Sequence, residues 1–315
     1  MSLASQPIRV HIVGRRTVAD RIDEFVLASA TGESLPSWSP GSHIDLTTPA
    51  GPVRQYSLCP ADAGTYRIAV ERRTDSRGGS VSAHADLAVG DETSISAPRN
   101  HFALTRALAY VFVAGGIGIT PIVSLIGEAE RAGRPWRLIY VGRTREEMAY
   151  GAELTGAHPD HVTVHESRRS GRLNLADELS DLPRGTAVYA CGPPTMLDAV
   201  ADACAPQAAV DSFTERFTAA VQSDVPNLEF ELSLAFSGLT VTVPDDRTIL
   251  DVLDARGVVA PASCREGMCG TCETGVVSGE VDHRDAILSP EERSENESMM
   301  ICVSRCTSGR LVLEL

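Results

Sequence analysis

Apolar and polar positions change rhythm twice along this chain. From residue 8 to about 107 the apolar residues come in short β-rich runs, at 10–13, 25–27, 43–46, 56–58, 66–70 and 93–95, with Gly, Pro and Asp between them. Regular short runs of this kind predict an antiparallel barrel or sandwich. After residue 107 a continuous apolar strand at 109–114 runs into Gly115-Gly116-Ile117-Gly118-Ile119-Thr120-Pro121, and a helical stretch follows to about 132. Further strands at 137–142, 162–166 and 187–191 alternate with helical patterns such as 194–205. Strands alternating with helices predict a parallel α/β sheet with crossovers. A polar stretch at 218–227 reads as a linker. Beyond it, 230–236 and 239–243 read as a hairpin, 249–256 as a helix and 275–281 as a strand.

A length of 315 residues exceeds one ordinary core, so the changes of rhythm mark domains. We place them at 1–106, 107–218 and 229–315, with 219–228 as linker. No apolar run approaches the roughly eighteen residues of a membrane span, and the expectation is a cytoplasmic protein. The net charge of -14 argues against nucleic-acid binding, whose affinity comes largely from clustered positive charge. Residues 224–315 hold seventeen acidic and seven basic side chains, a face suited to steering toward a basic patch on another protein. Every basic residue other than histidine is arginine, so no Schiff-base or P-loop lysine mechanism is available.

Cys264, Cys269, Cys272 and Cys302 follow C-x4-C-x2-C-x29-C, the plant-type thiolate frame for a 2Fe-2S cluster. The loop 263–272 is short and glycine-punctuated, which lets backbone N–H groups wrap around sulfur. Zinc knuckles instead pair two close C-x2-4-C units. A disulfide framework is disfavoured, since no secretory signal opens the chain and three of the thiols crowd one loop. Cys306 is a rival fourth ligand, read here as a buried small hydrophobe. Cys59, Cys191 and Cys204 fit no metal spacing, and His158, His161 and His165 read as solvated histidines.

Three other segments carry chemistry. In Arg54-Gln55-Tyr56-Ser57-Leu58, strand alternation puts Arg54 and Tyr56 on one side, a cation for a phosphate beside an aromatic plane, with Ser57 facing away unless the strand ends there. Arg77-Gly78-Gly79-Ser80-Val81-Ser82 sets two glycines and a serine before a helical turn, where backbone N–H groups point at an anion. The Gly115-Gly116-x-Gly118 loop follows a strand and opens a helix, with Thr120 as expected N-cap and Pro121 at the first helical position. It is not the G-x-G-x-x-G fingerprint, but the small residues and helix N-terminus suit a dinucleotide. Cys191-Gly192-Pro193-Pro194-Thr195 repeats the design at a later strand end. Both loops can face one cleft, because ligands of open α/β sheets lie outside the carboxyl ends of strands.

Together these motifs, in this order, resemble the phthalate dioxygenase reductase family over essentially the whole chain. The resemblance implies an antiparallel flavin-binding β-barrel, a parallel α/β nucleotide-binding domain and a C-terminal β-grasp ferredoxin domain, a multidomain α+β and α/β chain. It implies FMN, NADH and a 2Fe-2S cluster. It would have Arg54 hold the FMN phosphate or ribityl oxygens beside Gln55, and Tyr56 and Ser57 line the flavin ring. Val70, Glu71 and Arg72, with the loop Arg77, Gly78, Gly79, Ser80 and Val81, would complete that site. Gly115, Gly116 and Thr120 would stand at the flavin and nicotinamide junction, Cys191, Gly192 and Pro193 at the nicotinamide wall, and Phe217 over the flavin face. Ser57, Thr120, Cys191 and Phe217 are thus the expected catalytic set. Arg143 lies where an adenine ribose is expected, and local charge there leans toward NADPH, but the resemblance favours NADH. The electron acceptor is expected to be a Rieske-type terminal oxygenase served by a monomeric reductase. A haem-thiolate monooxygenase is the alternative acceptor, and a ferredoxin-like carrier or scaffold is the reading from another class.

Overall fold

The alternating runs of the first hundred residues pair into one curled antiparallel sheet. The computed structural model describes residues 7–73, 78–217 and 226–315, and the chain divides into two compact units, Met1–Phe217 and Thr218–Leu315. In the first unit the curled sheet runs in the order Val53–Ser57, Ser42–Thr47, Glu92–Ile95, Ile8–Ala19, Ile22–Ser29, Thr65–Glu71, with Arg99–Asn100 added beside Ser42–Thr47. Its ends approach each other: Cys59 forms an antiparallel bridge with Arg67, the Cys59 N–H donating to the Arg67 carbonyl at 2.8 Å. Val10, Ile12, Phe25, Leu27, Ile44, Leu46 and Ile68 fill the interior. The first two strands run further than their apolar runs at 10–13 and 25–27. Charged residues continue the ladder, with Arg16 directly opposite Glu24 and bonded to it at 2.8 Å, a cross-strand pair that stabilises as an apolar pair does.

The second sheet of this unit is parallel, in the order Val162–Glu166, Trp136–Gly142, Ala109–Gly115, Thr186–Cys191, Val210–Glu215. Alternate residues of Ala109–Gly115 serve its two faces. Phe112 and Ala114 pack with Ile119, Ile122, Leu125 and Ile126 of the helix Ile119–Arg131, whereas Val111 and Val113 pack with Leu197 and Val200 of the helix Pro194–Cys204. The chain winds outward from Ala109–Gly115 in one direction, then returns to lay Thr186–Cys191 on its other side. That reversal opens a crevice between the carboxyl ends of these two strands, where ligands of such sheets bind. The edge strand Val210–Glu215 has no apolar run to announce it, since its positions are largely half-buried or exposed.

In the second unit the hairpin Phe230–Leu234 and Thr240–Val243 leads into the helix Ile249–Ala255, which starts at a Thr248–Asp251 capping box. The final strand Arg310–Leu313 lies parallel to Phe230–Leu234 in the middle of the sheet, flanked by Glu273–Ser278 and then Ser298–Met300. This is the β-grasp layout. The strand expected at 275–281 is instead two pieces, Glu273–Ser278 and Val281–Asp282, the second paired with Arg305–Cys306. Gly279 makes the break, at φ +105 and with the Arg310 carbonyl oxygen 2.5 Å from where a Cβ would stand. Residues 218–225 of the expected linker lie outside the described residues. Asn227 and Leu228 are tied to the second unit by Arg284 at 2.6 Å and Arg305 at 3.0 Å. Among the described residues no helix is long and apolar enough to cross a membrane.

Candidate functional site

The crevice of the parallel sheet is built from two glycine loops that press against each other. A Cβ on Gly118 would lie 2.2 Å from the Cys191 carbonyl oxygen, one on Gly115 would lie 2.6 Å from Pro193 Cδ, and one on Gly192 would lie 2.9 Å from Gly115 Cα. Only glycine permits this approach. Gly116, at φ +55, has open space where its Cβ would be, so it is the residue over which a ligand can pass closely. Thr120 is not the N-cap. A short 3-10 turn at Gly116–Gly118 makes the chain helical before it, the α-helix begins at Ile119, and the Thr120 Oγ1 donates to the Ile117 carbonyl at 3.0 Å. Pro121 consequently sits at the third helical position, where its missing N–H still costs no helical bond.

Cys191 is fully buried, and burial followed by the negative field of Glu215 raises its thiol well above the ordinary range, so it stays a neutral thiol. Glu215 is its register partner on the neighbouring strand. The carboxyl is enclosed, Oε2 has no hydrogen-bond partner, and burial pushes its pKa up to about 8. Sequence reasoning missed this residue as a site group, and the only signal was an acidic residue ending a strand two positions before Phe217. A protonated carboxyl beside a neutral thiol offers O–H and S–H donors, which suit an uncharged acceptor such as an amide carbonyl. Phe217 follows the strand and is exposed at 36%, an aromatic plane free to cover a ligand.

On the barrel, the strand Val53–Ser57 ends at Ser57, which is buried. Arg54 lies across the start of the helix Gly79–Asp86, its Cγ 2.7 Å from where a Gly79 Cβ would stand, and its Nη1 donates to the Val53 carbonyl at 2.8 Å. Gly78 precedes the helix at φ +86. A guanidinium thus comes together with the start of a helix, where backbone N–H groups favour an anion, which is the arrangement a phosphate requires. Ser80 is buried and bonded to the Arg73 backbone at 3.1 Å, and Val81 is exposed. Burial raises the Tyr56 phenol despite the opposing field of Arg54. Gln55 donates to Asp45 at 3.2 Å. The Val70 side chain belongs to the barrel core and its carbonyl meets the His84 ring at 2.8 Å. Glu71 is half-buried, and the Arg72 N–H donates to the Arg21 carbonyl at 2.8 Å. Arg77 lies outside the described residues. Arg143 is exposed beyond Trp136–Gly142. His161 is exposed and stacks on Trp136 with centroids 4.9 Å apart, while the half-buried His158 reaches Glu130 at 3.3 Å and His165 the Gly171 carbonyl at 2.8 Å.

In the second unit Cys264, Cys269, Cys272 and Cys302 are all buried, and their thiols lie close enough to shift one another's ionisation through contacts of Cys264 with Cys269 and Cys302 and of Cys272 with Cys302. Those contacts favour ionisation of Cys264 and Cys272 and disfavour it at Cys269 and Cys302. The loop turns on left-handed residues Arg265, Gly267 and Gly270, and the Glu266 N–H donates to Cys264 Sγ at 3.3 Å. Gly267 is required, since a Cβ there would meet Val303 Cγ2 at 2.6 Å. Among the described residues no three His, Cys, Asp or Glu side chains are arranged around one metal ion. A two-iron cluster needs no such point, because each iron takes two thiolates, so the donor set fits the cluster. Cys306 stands apart, on a strand paired with Val281 and with its Sγ 3.4 Å from Ser308 Oγ.

Residues 234–307 match the family of 2Fe-2S iron-sulfur cluster binding domains, and residues 99–212 match the N-terminal domain of dimethylamine monooxygenase subunit DmmA-like proteins. The toluene-4-sulfonate monooxygenase system reductase subunit of Comamonas testosteroni is 40% identical over 99% of this chain and 100% of its own length. An intact type IV self-sufficient cytochrome P450 monooxygenase matches with TM-score 0.87 and 39% identity over 98% of this chain, which spans 41% of that protein's length. The phthalate dioxygenase reductase described as a modular structure for electron transfer from pyridine nucleotides to [2Fe-2S] matches with TM-score 0.73 and 36% identity, over 98% of both chains. An oxidoreductase with the order of elements, the thiol set and the near end-to-end match found here belongs to the phthalate dioxygenase reductase family.

Proposed function

We propose that this chain is the reductase component of a multicomponent oxygenase, carrying electrons from NADH by way of FMN and a 2Fe-2S cluster to a Rieske-type terminal oxygenase that hydroxylates or O-demethylates an aromatic substrate. The observation that carries the reading is the convergence of four buried thiols in a chain that also holds a phosphate cradle and a switch-point crevice. When bound, the flavin supplies the exchange between two-electron and one-electron chemistry, and the cluster supplies one-electron carriage.

The residues have these roles. Arg54 and the backbone at Gly78–Val81, with Arg77, Val70, Glu71 and Arg72 alongside, hold the flavin phosphate and sugar. Gln55 fixes the strand, Tyr56 and Ser57 line the ring, and Phe217 excludes water from its face. Gly115, Gly116, Thr120, Gly192 and Pro193 seat the nicotinamide and pyrophosphate, Arg143 the adenosine end, and Cys191 with Glu215 the nicotinamide edge. Cys264, Cys269, Cys272 and Cys302 are the cluster ligands. The domains run 1–106, 107–218 and 229–315 about a 219–228 linker. The protein acts as a monomer in the reducing cytoplasm, where the four cysteines outside the cluster set, Cys59, Cys191, Cys204 and Cys306, persist as free thiols. Self-sufficient P450 similarity over 98% of the chain favours a haem-thiolate monooxygenase as the second acceptor to test.

The test is cofactor analysis joined to a cluster variant. Acid extraction should release one FMN, and iron and sulfide assays should find about two of each per chain. Cys272→Ser should end electron delivery to a protein acceptor while leaving flavin bleaching by NADH nearly intact. FAD in the extract, zinc without sulfide, or collapse of flavin bleaching in a folded variant that retains its flavin would each refute the corresponding part.

A further inference from the structure

A buried polar cluster joins the curled sheet to the parallel sheet within the first unit, and nothing in the roles above uses it. Glu24 is 4% exposed, although a carboxylate is seldom buried without a purpose. Arg16 grips it twice, at 2.8 and 3.2 Å, Arg67 approaches at 3.4 Å, and the Tyr150 hydroxyl donates to its Oε2 at 2.9 Å. Tyr150 comes from the other sheet's connecting segment, is itself 8% exposed, and is held at φ +60, a conformation an L-residue adopts at a cost. The preceding residue continues the connection, because the Tyr140 hydroxyl, with one hydrogen to share, lies 3.0 Å from the Ala149 carbonyl and 3.1 Å from the Gly116 carbonyl.

A second route ends on the same loop. Cys59, 1% exposed, closes the curled sheet onto Arg67 and brings its Sγ to 3.5 Å from the Thr120 carbonyl. Burial pushes this thiol up to about 12, so it acts as a donor and not as a nucleophile. Beside Tyr150 the seam meets solvent: a surface-open pocket of about 230 Å³ lies between Val18 of the curled sheet and Arg145, Met148, Gly151, Glu153 and Val164. At this solvent-facing edge of the seam, directional hydrogen bonds rather than continuous apolar packing tie the two sheets together.

We propose that Glu24 and Tyr150, backed by Cys59, are positioning residues that fix the Gly116–Thr120 loop relative to the barrel strand bearing Tyr56 and Ser57. This rests on the reading that flavin lies against that strand and nicotinamide against that loop. Hydride transfer then requires the two surfaces to be held within a fraction of an ångström, and a misplacement of about 1 Å can cost about a hundredfold in rate.

The experiment uses the full holoprotein and Tyr150→Phe, which removes one hydroxyl and leaves Glu24 paired with its arginines. Stopped-flow flavin bleaching should give a limiting rate roughly tenfold lower per bound flavin, with the dissociation constant for NADH within about twofold of wild type. Hydrogen exchange read by mass spectrometry should rise in peptides covering residues 114–120, a change independent of turnover. Cys59→Ala should act in the same direction with smaller effect. Unchanged limiting rate and unchanged exchange in both variants would overturn the proposal. So would loss of flavin or of fold with the per-flavin rate preserved in what remains, since that marks a folding element. Absence of flavin from the wild-type protein is a separate result that refutes the cofactor reading itself.

Discussion

Replacing Glu215 by Gln isolates the protonation state on which the crevice chemistry depends. The enclosed carboxyl has its pKa raised from the usual 4.5 to about 8 by burial. Below pH 4.5 folded and unfolded chains both hold the proton. As pH rises from there, the unfolded chain releases it while the folded chain keeps it, so wild-type stability falls relative to a neutral isostere until about pH 8 and then levels. Each unit is worth about 1.4 kcal/mol, so the two units between pH 5.5 and 7.5 amount to about 3 kcal/mol. For a unit of this size that is roughly 6–12 °C in midpoint. The assay is the midpoint of the first unit in wild type and Glu215→Gln, measured without nucleotide across pH 5.5–8.5. The difference between the two proteins is the quantity read, because other titrations cancel in it. The variant should gain on wild type as pH rises. A difference that stays flat with pH would mean Glu215 ionises normally, and the reasoning that makes it a donor beside Cys191 would fail.

Three other perturbations follow from distances. Gly118→Ala puts a methyl 2.2 Å from the Cys191 carbonyl, so the loops must part; flavin and cluster spectra should persist while flavin bleaching by NADH drops at least about tenfold, with unaltered bleaching as the contrary result. Cys302→Ala should lose or cripple the cluster's paramagnetic signal, whereas Cys306→Ala, altering a side chain outside the thiol set, should leave it unchanged; the reverse pattern would move the ligand to Cys306. Steady-state kcat/KM should favour NADH over NADPH, and a value for NADPH equal to or above that for NADH would reverse the assignment, leaving the exposed Arg143 as the first residue to replace.

Much of this protein was written locally. Cysteine spacing at 264, 269 and 272, with Cys302 at the expected interval beyond, announces the cluster frame because three ligands in one loop are a property of sequence distance. Buried strands such as Ala109–Gly115 show as apolar runs since both faces are covered, and glycines mark the crevice loops because close approach forbids a Cβ. What escaped is what depends on partners far along the chain. The strand Val210–Glu215 is an edge with little to bury, so its pairing with Thr186–Cys191 left no periodic trace. Thr120 has the right residue type for a cap, yet the turn before it already satisfies helical geometry. Glu215 becomes an acid of raised pKa only when the register sets it beside Cys191 inside the fold. Glu24 and Tyr150 lie 126 residues apart, and no local motif marks either one. Spacing along the chain fixes local ligands and turns, but desolvation and cross-sheet contact exist only once the sheets have folded against each other, and those two effects decide how this site is tuned.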